Sequence, residues 1–213
     1  MNENAYGAAT IRIINRANQV FFEHGYSAVT MSMVGELCGL GRRALYYHFH
    51  SKEELFRATI RTENGHLQAL ADAAAEAALQ RGGGAEEVIG GWLDTRYGEF
   101  RRRLHVSPHG AELNQVAFRV ATDIMIDVAI EANRKLEQLI AGLISQGRLR
   151  LRPGVSTTTA ARMIADGARG VNQARPPIPE NELASRYFAI AEAILFGCAL
   201  PPRVDRRKAR KPE

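Results

Sequence analysis

The sequence predicts an all-α protein: an N-terminal three-helix unit containing a helix-turn-helix, then a larger helical bundle, about nine helices in all. Three observations lead there. Apolar residues recur at three- and four-residue spacing through most of the chain. No long run of Val, Ile and Thr alternates with period two. Glycine and proline cluster between the periodic segments, at Gly25, Gly39 to Gly41, Gly82 to Gly84, Ser107 to Gly110, Pro153 to Gly154 and Pro176 to Pro179. With 213 residues, 46% of them hydrophobic, the chain can bury a core without disulfide or metal staples.

The elements follow in order. Ile11, Ile14, Ala17, Val20 and Phe21 give the first helix, residues 8 to 24, one apolar face, and Gly25 ends it. Thr30 caps a short second helix carrying Met33, Val34 and Leu37. Gly39-Leu40-Gly41 separates it from a third, Arg42 to Phe49. Ser51 and Glu54, three apart, form a capping box opening a fourth helix that reaches about Arg81, with a bend or break expected at Asn64-Gly65 because both are poor helix formers. Residues 85–147 hold three more helices, the last with an apolar stripe of Met125, Val128, Ala129, Ala132, Leu136, Leu139, Ile140 and Leu143. Two further helices cover 156–172 and 181–198. The expected division is 1–54 for the helix-turn-helix unit, 55–200 for the bundle and 201–213 for a disordered basic tail.

Charge must be read by region. The net +5 is mostly that tail: residues 203–213 hold six basic and two acidic residues, leaving 22 against 21 elsewhere. The body is therefore not a generally basic surface. The stretch from Leu37 through Ser51 holds no acidic residue and carries Arg42, Arg43, Tyr46, Tyr47, His48 and His50. A second short helix after a glycine turn is the element that enters a DNA major groove. A phosphate-lined groove would repel carboxylates there and reward these donors.

Other signals fall away. Gly39-Leu40-Gly41-Arg42-Arg43-Ala44 fits a dinucleotide fingerprint, but no strand precedes or follows it. His105 and His109 flank Ser107-Pro108, a loop, with no acidic or thiol partner nearby, so no metal site is read there. Cys38 and Cys198 are read as small core residues rather than a redox pair. There is no nucleophile elbow, HExxH helix or P-loop, so no catalytic residue and no cofactor are expected. No apolar stretch is long enough to span a membrane and no secretory signal opens the chain, so a cytoplasmic protein without a membrane partner is expected.

Ala17, Val20-Phe21, Gly25-Tyr26, Thr30, Gly39, Leu45-Tyr46-Tyr47-His48-Phe49 and Ser51-Lys52-Glu53-Glu54-Leu55 together resemble the DNA-binding domain of TetR-family transcriptional regulators over residues 8–58. The resemblance implies base contacts from Ser32, Arg42, Arg43 and Tyr47, and phosphate contacts from Thr30, Ala44, Tyr46, His48 and Lys52. Leu45 and Phe49 would hold the recognition helix on its core. Gly41, Ala44 and Gly35 depart from the family's usual Ser, Thr and Ala, losing one cap, one hydroxyl and some helix rigidity.

For the bundle the resemblance implies a small-molecule effector of unknown identity. Trp92, Tyr97, Phe100, Phe118, Met125 and Asn172 are the candidate lining residues, and pocket logic favours an apolar or aromatic compound. It also implies a homodimer on a palindromic double-stranded operator. The small-residue stripe Ala161, Ala165, Ala168, with Tyr187, Ala191, Ile194 and Leu195, is the expected dimer face. The function expected is thus a ligand-responsive repressor. A ligand-independent architectural DNA-binding protein and a helical small-molecule carrier are the alternatives.

Overall fold

The computed structural model describes residues 6–197. Every regular element among them is helical: α1 Ala8–Ala28, α2 Met31–Leu37, α3 Arg42–His48 and α4 Lys52–Gln80. Next comes α5, a continuous rod made of Ala85–Leu93, a π-helical turn Asp94–Gly98 and Glu99–Val106. It is followed by α6 Gly110–Val120, α7 Thr122–Ser145, α8 Thr157–Gln173 and α9 Glu180–Phe196. The described residues thus form the all-helical, two-part architecture expected, while Cys198 and the basic segment 201–213 lie outside them.

Local signals set the helix ends. Gly25 takes φ 78°, a left-handed conformation that ends the regular part of α1. Thr30 Oγ1 accepts the Met33 N–H at 3.2 Å. Ser51 Oγ accepts the Glu54 N–H at 3.0 Å, while the Glu54 carboxylate takes the His50 N–H at 2.7 Å, one residue earlier than a standard capping box. The expected bend at Asn64-Gly65 does not occur. Helix α4 runs unbroken for 29 residues, with the Asn64 side-chain amide donating to Ile60 O at 2.9 Å.

Two apolar cores result. One joins α1, α2, α3 and the start of α4 through Val20, Phe21, Val34, Leu45, Phe49 and Leu55, and it also takes in Leu113 and Val116 of α6. The other packs α4, α5, α7, α8 and α9 around Trp92, Leu136, Ile140, Ile164 and Tyr187. The expected boundary at 54/55 falls inside α4, so one helix is shared by both cores. The N-terminal unit is also tied laterally. Glu112 accepts the Ser27 N–H at 2.8 Å, and Ser107 Oγ donates to Phe22 O at 2.7 Å. Arg57 clamps Asp123 at 2.8 and 2.6 Å. That guanidinium holds the Asp123 carboxyl down to about 2, so the clamp persists in mild acid and opens only as pH falls through that value.

The expected dimer stripe is a correction. Ala161, Ala165, Ala168, Tyr187 and Ala191 are all fully buried inside a single chain, and Ile194 and Leu195 pack on that same core. Their small size is used within the chain: a Cβ at Gly167 would sit 2.7 Å from Ile190 of α9. The outward faces of α8 and α9 instead carry Met163 and Phe196, each 51% exposed.

Two glycines should respond oppositely to alanine. At Gly110 a Cβ would lie 1.9 Å from the Leu104 carbonyl, so Gly110→Ala is expected to destabilise by about 1–3 kcal/mol. At Gly65 a Cβ would meet nothing within 4 Å, so Gly65→Ala is expected to stabilise by about 0.5–1 kcal/mol. Denaturant titrations of both variants check the pair.

Candidate nucleic-acid interface and bundle cleft

The turn between α2 and α3 is built by glycine. Gly39 sits at φ 66°, its N–H donating to Glu36 O at 3.1 Å, while the Leu40 N–H donates to Gly35 O at 2.8 Å. This is a Schellman closure. A Cβ at Gly35 would lie 3.0 Å from Leu40 O, so the glycine that reads as a loosened helix serves the turn's close approach. Gly41 caps α3 with no side-chain acceptor, as its sequence requires.

Helix α3 is held by its apolar side and presents the other. Leu45 is 1% and Phe49 2% exposed. On the far side Arg42, Arg43 and Ala44 are exposed, and Tyr47 is 84% exposed, a large aromatic left in solvent. Tyr46 is half-buried under the Arg42 guanidinium, 5.5 Å above its ring. His48 Nδ1 is 3.0 Å from Thr10 Oγ1, which pins the end of α3 to the start of α1. Ser32 and Thr30 are exposed at the start of α2. The first turn of α3 holds two cations and no acid, an arrangement that opposes the helix dipole and that a polyanion would relieve.

Lys52 differs from its expected role. Its ammonium donates to Tyr26 O and Val29 O at 2.8 Å each and to Ser27 O at 3.4 Å. It also lies 4.5 Å over the Tyr26 ring. All three N–H donors are therefore committed to the turn joining α1 and α2. Lys52 fastens the helix-turn-helix to α4.

The bundle holds a polar cleft of about 380 Å³ between α4, α5 and α7. Asn64, Gly65, Gln68, Ala69 and Asp72 line it from α4, Arg96 from the π-turn of α5, and Val128, Glu131, Arg134 and Lys135 from α7. Asp72 accepts from Lys135 at 2.8 Å, Trp92 Nε1 at 3.0 Å and Gln68 at 2.8 Å. Burial works against its ionisation, but these donors outweigh it and hold the carboxyl below its ordinary value. Arg96 is 4% exposed, and burial pushes its guanidinium below the ordinary value. Its hydrogen bonds go to two neutral amides, Asn64 Oδ1 at 3.1 Å and Gln68 Oε1 at 3.3 Å.

None of the six expected lining residues borders this cleft. Trp92 is core, bonded to Asp72 from behind. Tyr97 stacks behind Arg96, at 5.3 Å from its guanidinium. Phe100 meets Phe22 edge-on. Phe118 is exposed and Met125 half-buried on α6 and α7. Asn172 accepts the Tyr187 hydroxyl at 2.6 Å. Trp92, Tyr97 and Phe100 pack against other side chains, and the cleft is lined instead mainly by amides and charged groups. Arg96 carries no sequence signal, because Arg101, Arg102 and Arg103 follow within the same segment; only burial separates it from them.

The chain is similar to several known proteins. Residues 13–59 match the model of bacterial regulatory proteins of the tetR family. A transcriptional repressor from Mycobacterium tuberculosis is 29% identical over 108 residues, 51% of this chain and 57% of that protein, so the chain spans little more than half that relative's length. The repressor AcnR of Corynebacterium efficiens is 29% identical over 160 residues, 68% of this chain and 82% of its own. A TetR/AcrR-family regulator from Thermobifida fusca superposes with a TM-score of 0.66 at 20% identity, covering 91% of this chain and 100% of that one.

The geometry at Lys52 makes a separable prediction. Lys52→Met is expected to destabilise the fold by about 1.5–3 kcal/mol, the worth of hydrogen bonds to a charged group. The slope of log affinity for DNA against log salt is expected to stay unchanged. A slope lowered by about one unit would instead mark Lys52 as a phosphate contact.

Proposed function

We propose that this chain, whose residues 13–59 match the model of bacterial regulatory proteins of the tetR family, is a DNA-binding transcriptional regulator that represses transcription as a two-fold dimer on a palindromic operator and releases it on binding an effector. The observation that carries the DNA half of this reading is the outward face of α3. It is basic, aromatic and free of acid, on a helix locked by Leu45 and Phe49.

In this reading Arg42, Arg43 and Tyr47, with Ser32, reach base edges, while Thr30, Tyr46, His48 and the backbone at Ala44 meet phosphates. The exposed Tyr47 and the unstacked Arg43 make the deepest approach. The dimer forms through the outward faces of α8 and α9, around Met163 and Phe196, where each chain leaves large apolar groups in water. Such a regulator acts in the cytoplasm, beside the chromosome. The polar cleft supports the effector-responsive form over a purely architectural protein.

Selection of bound duplexes from a random pool, at stated salt, tests the core of this. A palindrome with half-sites about one helical turn apart, roughly 34–36 Å, is expected. Arg43→Ala is expected to cost about 1–3 kcal/mol and relax preference at one position in each half-site. Enrichment of no sequence, with binding that vanishes at moderate salt, would overturn sequence-specific recognition. Met163→Glu is expected to shift sedimentation from dimer towards monomer and to lower operator affinity with it.

A further inference from the structure

The cleft between α4, α5 and α7 contains a cation that nothing among the described residues neutralises directly. Charges around it close in pairs: Lys135 with Asp72 at 2.8 Å, and Arg134 with Glu131 at 2.8 Å. Arg96 stands outside both pairs, bonded to neutral amides at 3.1 and 3.3 Å. An ion that is 96% removed from water without a counter-ion is an expensive arrangement. Its guanidinium presents five N–H donors in a planar fork, and two are used here. The backbone adds an independent sign. Arg96 sits inside the π-helical turn Asp94–Gly98, a local distortion frequent at functional sites.

We propose that this cleft binds a small polar molecule through a carboxylate or phosphate group seated on Arg96, with Asn64 and Gln68 as flanking donors and acceptors. Planar bidentate pairing with an oxyanion is what the guanidinium fork suits best. The walls set the rest of the ligand. Ala69 and Val128 add an apolar wall beside the charges and amides, and the volume of about 380 Å³ limits the rest of the ligand to a compact body carrying that anionic group. Gly65 explains itself in the same terms: it is a glycine in mid-helix whose missing side chain leaves the cleft open, since a Cβ there would touch nothing. This inference deepens the effector reading above and rests on it only for the regulatory consequence.

The test separates the two. The full chain is melted alone and with succinate, inorganic phosphate or the neutral isostere succinamide, at constant ionic strength and without DNA. One of the two anions is expected to raise Tm by roughly 5–10 °C at a hundred-fold excess over its Kd, with succinamide inert. The responding anion tells carboxylate from phosphate chemistry. Arg96→Met is expected to abolish the shift. Because that variant can also disturb packing, Gly65→Leu provides a second arm. It fills the cleft while leaving the Arg96 side chain in the sequence, and is expected to leave the melting temperature of the free protein no lower while removing the anion response. An equal response to succinamide, a response that survives Gly65→Leu, or no response to either anion would overturn the cleft assignment. The last result would mean that Asp72 neutralises Arg96 through Gln68. Operator binding is read separately by fluorescence anisotropy. Loss of affinity with the bound anion supports its effector role, and an unchanged affinity overturns that role while leaving the binding site standing.

Discussion

Everything in this molecule hangs on one uninterrupted helix. Helix α4 holds 29 residues, a rod of about 43 Å at 1.5 Å per residue. Its first residue, Lys52, is tied to three carbonyls of the turn that begins the helix-turn-helix. Its middle, Asn64 to Asp72, forms one wall of the polar cleft. Its apolar residues belong to both cores, Leu55 and Phe56 to one, Leu67, Ala71 and Ala75 to the neighbourhood of the other. As one continuous helix it joins a wall of the cleft to the residue tied to the helix-turn-helix. About 18 Å of helix separates Lys52 from Asn64.

The contacts along that rod add to this connection. Glu63, which is buried, accepts from Asn18 of α1 at 2.9 Å and is paired with Arg103 of α5. The next residue, Asn64, holds Arg96. The helix that carries the cleft thus grips the N-terminal unit one residue away. Arg57 adds a clamp from α4 to the start of α7 through Asp123. The N-terminal unit does not ride on a flexible linker: α6 contributes Leu113 and Val116 to its core, and Gly25 is closed in by His109 and Glu112.

How much of this could be read from the residues depends on how local the cause was. The exposed basic and aromatic face of α3 was legible because Gly39, Leu45, Phe49 and the acid-free run between Leu37 and Ser51 act within a few residues of one another. The role of Lys52 was not, because the carbonyls that hold it lie 23 to 26 residues earlier. The small-residue stripe of α8 misled for a related reason. Small side chains report close helix approach, but not whether the approaching helix belongs to the same chain, and here it is α9 of that chain.

The sequence by itself determined the helical segments and their order, the glycine turn, the caps at Thr30 and Ser51 and the apolar anchors of α3. Each follows from backbone chemistry and periodicity over short separations. The tertiary structure alone decided the unbroken course of α4 through Asn64-Gly65, the burial of Arg96 and the cleft beside it. Those depend on segments 28 to 63 residues apart. An arginine among arginines becomes distinct only when folding strips its water away, and a glycine in a helix becomes an opening only when another helix stands across from it.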